Sequence, residues 1–105
     1  MIIDTHCHLD DESFEADLAA VLERAKDANI EKIIIPGASI KDLPKAIRIS
    51  EEQKNIFFAV GVHPYHVDEM DESVLRKFAK HEKCVAVGEC GLDYYRLPES
   101  GIEEY

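Results

Sequence analysis

Ile56-Phe57-Phe58-Ala59-Val60-Gly61-Val62-His63-Pro64 decides how this chain folds. No charged side chain interrupts Ile56 to Val62, and His63-Pro64 closes the run. A short, continuous apolar run bounded by a turn signal indicates a strand buried on both faces, as in parallel sheets covered by helices. Working outward, Ile2 to Cys7, Lys32 to Ile35 and Cys84 to Gly88 read as further strands, the second of them stopped by Pro36-Gly37. Between the strands the period changes. Phe14, Leu18, Val21, Leu22 and Ala25 stand at helical spacing in a helix expected from Ser13 to a stop at Asn29. Leu43, Ala46, Ile47 and Ser50 share one face of a second helix, capped by Ser39 or Asp42, with Pro44 tolerable in its first turn. A third helix, Asp71 to Lys80, turns Leu75, Phe78 and Ala79 inward. The order βαβαβαβ predicts an α/β fold with one parallel sheet and right-handed helical crossovers. Residues 1–105 are expected to form a single domain, with Leu92 to Gly101 a βα loop and Ile102 to Tyr105 the start of a further helix.

Composition narrows the function. Apolar residues make up 46% and charged residues 32% of the chain, the balance of a soluble globular domain. Twelve Lys and Arg against 22 Asp and Glu leave a formal charge of −10. Nonspecific nucleic-acid binding needs cationic side chains against phosphates, so this surface should repel a polyanion unless bound divalent cations reverse the field locally. A sequence-reading DNA-binding module is therefore disfavoured, and an enzyme that grips phosphate through metals is not. Three cysteines, Cys7, Cys84 and Cys90, are too few and too irregular for a disulfide scaffold or a CxxC zinc site. With no signal-peptide pattern and no apolar run of membrane-spanning length, a reduced, cytoplasmic protein with no membrane partner is expected.

The residues suited to chemistry share one address. His6 and His8 end the first strand, and residues two apart in a strand point the same way, so the two imidazoles form half of a metal site. Glu89 follows the fourth strand, bracketed by Gly88 and Gly91. Its two oxygens suit it to bridging two cations, as two-metal hydrolases require. His63 ends the third strand, where it either touches substrate or metal-bound water or caps the strand. Asp93 either orients a ligand, bonds the backbone or accepts a substrate proton. His6, His8, His63 and Glu89 lie at the C-terminal edge of the predicted sheet, where parallel α/β proteins place their sites, and Asp93 follows Glu89 by four residues on the same loop. Asp4 is expected in a supporting role, and Asp10 and Asp11 at the start of the first helix. Tyr94 and Tyr95 offer a stacking face or simply pack. Cys7 and Cys90 are expected to be small buried residues, and His66 and His81 to be solvated.

Ile3-Asp4-Thr5-His6-Cys7-His8-Leu9-Asp10, then Val60-Gly61-Val62-His63-Pro64, then Val87-Gly88-Glu89-Cys90-Gly91-Leu92-Asp93-Tyr94-Tyr95, resemble in order the TatD family of metal-dependent deoxyribonucleases. They fit the wider amidohydrolase-like hydrolases as well. The resemblance implies the first half of a TIM-type (β/α)8 barrel, with one or two divalent ions, magnesium, manganese or zinc, and DNA as substrate. It implies that His6, His8 and Glu89 are metal ligands, with Glu89 bridging, and that His63 and Asp93 bind substrate or support the ligands. The family pattern continues with two more histidines and an aspartate, the general base, which are expected beyond Tyr105. The chain alone is thus expected to be inactive and to need a C-terminal half or a partner chain. The alternatives are a non-catalytic half-barrel that pairs with another chain and an amidohydrolase-type enzyme for a small amide or lactone.

Overall fold

The computed structural model describes residues 1–95. Four strands alternate with three helices: β1 (Ile2–Asp4), α1 (Leu18–Asp27), β2 (Ile30–Ile35), α2 (Leu43–Glu52), β3 (Ile56–Val60), α3 (Glu72–Ala79) and β4 (Cys84–Val87). All neighbouring strands pair in parallel, in the order β1-β2-β3-β4. The register sets Ile33 against Ile56, Ile35 against Phe58, and Val60 against Val87. The C-terminal ends of the strands, and the loops that leave them, therefore gather along one edge. The expected loop end from Arg96 to Gly101 and the expected helix start at Ile102 lie outside the described residues.

Local chemistry explains the element ends. Asn29 takes a positive φ of 66° just past α1, the left-handed step that lets the chain turn into β2. Asp42 precedes α2 with Pro44 in the first turn, where a missing N–H costs nothing. Asp71 caps α3 through its carboxylate, which accepts from the N–H groups of Ser73 and Val74. The first helix starts later than its sequence pattern suggests. Asp11 accepts the N–H of Ser13 and sets a single 3-10 turn, Glu12–Phe14, ahead of α1. Ala79, expected inward, is exposed, and Val74 joins Leu75 and Phe78 against the core instead.

Consecutive parallel strands joined by right-handed crossovers place all three helices on one face of the sheet. Ile33, Ile35, Ile56, Phe58 and Val60 meet Leu43, Ala46, Ile47 and Ile49 of α2 there, forming the buried core. By strand alternation Ile34 and Phe57 point to the other face, where both are only half-buried. The expectation of burial on both faces thus holds for neither margin: β1 and β4 are largely exposed, and no strand among the described residues flanks either of them on the outside. The sheet is open.

Candidate metal centre

The strand β1 ends at Asp4, so His6-Cys7-His8 lies just past it rather than on it. Three contacts nevertheless fix this short segment. The Cys7 N–H donates to the Ile34 carbonyl at 3.2 Å, extending the pairing with β2 by one bond. Asp4 Oδ1 accepts the His6 N–H at 3.1 Å. Leu9, 1% exposed, anchors the segment in the core. The two imidazoles still come together, their centroids 5.0 Å apart and their planes nearly perpendicular at 83°.

Glu89 is delivered from the other side of the sheet by backbone alone. The Gly88 N–H donates to the Val60 carbonyl at 2.8 Å, the Glu89 N–H to the Gly37 carbonyl at 2.6 Å, and the Gly37 N–H to the Gly88 carbonyl at 2.8 Å. The ends of β2, β3 and β4 thus converge. A Cβ on Gly37 would stand 2.7 Å from the carbonyl oxygens of both Ala59 and Gly88, so only glycine permits this approach. Across the opening, His6 Nε2 lies 3.9 Å from Glu89 Oε1 and His8 Nε2 lies 3.7 Å from Glu89 Oε2. Each imidazole therefore faces a different oxygen of one carboxylate. Donor atoms of the three residues fall within 4.8 Å of one another. Ligands about 2.0–2.1 Å from one ion stand no more than about 4 Å apart, so small side-chain rotations bring this N, N, O set onto a divalent cation. The donor types suit zinc, manganese or magnesium.

The remaining groups near this edge divide clearly. His63 and Asp93 come together, with Nε2 3.9 Å from Oδ2. His63 Nδ1 accepts the Tyr65 N–H at 3.1 Å, and Asp93 Oδ1 accepts the Tyr95 N–H at 2.8 Å. Asp10, beside His8, has its carboxyl pushed up chiefly by burial; its own backbone hydrogen bond and His8 oppose this. Burial, then the charges of Asp4 and Asp10, push the Cys7 thiol up as well. Cys7 is half-buried as parity suggests, but Cys90 is exposed, because it leaves the strand end into open loop. Tyr94 and Tyr95 are exposed. His81, expected in solvent, is half-buried edge-on to Phe58 and accepts the Lys83 N–H.

A sequence model for TatD related DNases matches residues 3–105. The chain belongs to the TatD family. It is 40% identical over 98 residues to the uncharacterized metal-dependent hydrolase YabD of Bacillus subtilis, covering 90% of this chain and 38% of that protein. It is 34% identical over 99 residues to a protein of Pantoea vagans named as the 3′-5′ ssDNA/RNA exonuclease TatD, with the same 90% and 38% coverage. The crystal structure of YJJV, a TatD homologue from Escherichia coli, superposes with a TM-score of 0.79 at 33% identity, over 90% of this chain and 39% of that one. The chain thus spans less than half the length of these relatives, and its open four-stranded sheet corresponds to part of a TatD barrel.

One network escaped the sequence reading. Ser39, buried after β2, donates to Glu69 at 3.2 Å, and Glu69 also faces His66 Nδ1 at 3.2 Å. This ties the Pro64–Glu69 turn, which begins at His63, to the end of β2. No spacing rule links Ser39 with Glu69, thirty residues apart; only the shared address at two neighbouring strand ends could have hinted at it.

Proposed function

We propose that this TatD-family chain carries the first ligands of a metal-dependent phosphodiesterase centre acting on single-stranded nucleic acid. The observation that carries the proposal is the placement of both imidazoles against the two oxygens of Glu89. His6 and His8 would hold one ion, and the free lone pairs of the Glu89 carboxylate suit it to reaching a second. A bound divalent cation supplies Lewis acidity to water and charge neutralisation to phosphate oxygens. The chain's own residues fix the ligand geometry: Asp4 and Leu9 hold the histidines, and Gly37 holds Glu89. The formal charge of −10 supports phosphate capture through metal rather than through a basic surface. The open sheet, and the greater length of the relatives, support a centre completed by further strands from additional chain or a partner. The general-base aspartate belongs to that part. Three free cysteines fit a reducing, cytoplasmic setting, and no helix among the described residues is long and apolar enough to cross a membrane.

The test measures manganese and zinc affinity and single-stranded DNA cleavage in protein carrying this sequence, with a small amide and a lactone assayed in parallel. His6→Ala, His8→Ala and Glu89→Gln should each lose metal affinity by at least about tenfold, since supporting residues alone are worth that much. Cleavage should be lost with the metal. Unchanged metal affinity in His6→Ala would remove the proposed centre, and turnover of the amide in place of DNA would replace the substrate class.

A further inference from the structure

We propose that Tyr94 and Tyr95 form a stacking platform for unpaired bases of the nucleic-acid substrate, a role that rests on the phosphodiesterase reading above. Charge sets the need. At a formal charge of −10 the chain as a whole repels a polyanion, so its grip on a strand must draw on contacts that ignore charge. Stacking of a base on an aromatic ring is such a contact, and it accepts any base because every base has a π-face.

Two rings stand ready for it. Tyr94 is 65% exposed and Tyr95 86%, although a tyrosine gains much from burying its ring. Among the described residues neither ring packs on another aromatic, and neither hydroxyl has a hydrogen-bond partner. Their backbone, by contrast, is fixed. Gly91 takes a φ of 112°, in the region glycine alone enters freely, and redirects the chain as it leaves the end of β4. Asp93 Oδ1 then accepts the Tyr95 N–H at 2.8 Å, closing a turn that spans Tyr94. Asp93 Oδ2 lies 3.9 Å from His63 Nε2, so the loop runs beside the end of β3. Open rings on a held backbone bind a flat partner at little cost in ordering. Tyr94 follows Glu89 by five residues, a reach of at most about 18 Å. A strand with one phosphate at His6, His8 and Glu89 can therefore lay a nearby base on the platform. Cover by protein is the competing use of exposed apolar surface, and β4 shows where that belongs. Val85 and Val87 are exposed along the strand itself, where a further strand would flank it. The tyrosines lie past the strand end, on the edge that carries the metal ligands.

The test uses manganese-loaded protein carrying this sequence and phosphorothioate-linked pentadeoxynucleotides, which resist cleavage. One ligand carries its bases; its twin has the same phosphates and a tetrahydrofuran spacer in place of every nucleoside. The chain has no tryptophan, so tyrosine emission reports on the rings without that background. The ligand with bases should bind tighter by roughly tenfold or more and quench the emission, and its twin should do neither. The double variant Tyr94→Ala, Tyr95→Ala should lose that preference and keep the affinity for the twin, the manganese affinity and the melting temperature. The double variant Tyr94→Phe, Tyr95→Phe keeps the rings and should keep the preference. Equal affinity for the two ligands in the unsubstituted protein overturns the platform and leaves the phosphodiesterase reading standing. So does a preference that survives in the alanine variant or disappears in the phenylalanine one. A melting temperature that falls in the alanine variant means that protein covers the rings, which overturns the platform as well. Failure to bind either ligand sinks the phosphodiesterase reading and the platform with it.

Discussion

Val60 of β3 and Val87 of β4 are partners in register, yet the first is 2% exposed and the second 76%. The same contrast runs the length of the two strands, from sealed Phe58 to half-exposed Val85. Both strands are apolar, and both are extended and hydrogen-bonded. What separates them is cover: α2 packs on β3, whereas among the described residues α3 is the helix that packs on β4 and no strand flanks its outer edge. An apolar strand thus records a capacity for burial, and its neighbours decide how much of that capacity is used. The glycine-rich edge where β2, β3 and β4 converge joins the two regions and carries the candidate ligands.

The contrast is broken most directly by truncation. Phe58→Ala should cost about 3–5 kcal/mol in a denaturant titration, the usual loss for a fully buried phenylalanine. Val87→Ala should change stability by no more than about 0.5 kcal/mol, as exposed substitutions do. Equal costs at the two positions would mean that the outer face of β4 is covered in solution. At the convergence, Gly37→Ala should destabilise by about 1–3 kcal/mol, the range for forcing atoms into packed space. Because Gly37 also holds the Glu89 N–H, manganese affinity should fall in the same variant; a stable variant with intact affinity would show that the strand ends are free to part.

Smaller effects sharpen the picture at the periphery. Hydrogen bonds from the Ser73 hydroxyl and then the Val74 N–H hold the Asp71 carboxyl below its ordinary value of 3.8. A carboxyl depressed in the folded state binds fewer protons there than in the unfolded chain. Its contribution is fully present above the ordinary value and is lost as pH falls through the lower folded one. Asp71→Asn, which still caps but does not titrate, should flatten the acid limb of a stability–pH curve below 3.8, while leaving neutral stability nearly unchanged. Asp11 is depressed in the same way by Ser13 and adds to that limb. Finally, exposed Cys90 should alkylate with iodoacetamide well before Cys7, whose thiol is raised by burial and flanking carboxylates. Mass spectrometry of a timed reaction checks the order, and equal rates would mean that the His6–His8 segment opens freely.

Much of this was legible before any coordinates. The run Ile56 to Val62 and its shorter counterparts marked four strands, and the helical spacing of Leu43, Ala46, Ile47 and Ser50 marked the face of α2 that is buried. His6, His8 and Glu89 could be assigned to one sheet edge because parallel connectivity puts every strand's C-terminal end on the same side. Less was legible at the boundaries. The first strand stops at Asp4, since the pull of local bonds from Asp4 and Asp11 turns the chain early, and the helix after Ser13 begins at Leu18. The exposure of Cys90 and the partial burial of His81 were equally hidden, because each depends on residues distant in the chain.

The sequence by itself determined the order of elements, the parallel sheet, the family and the group of residues suited to hold a cation. Those properties follow from periodicity, turn residues and connectivity, all of which act over short stretches. Only the tertiary structure decided that Glu89 meets the two imidazoles with separate oxygens and that His63 Nδ1 accepts the Tyr65 N–H. It alone showed that bare glycine backbones bring three strand ends together. Each of these depends on atoms brought to within a few ångströms by packing, and no local pattern encodes a distance between residues eighty positions apart.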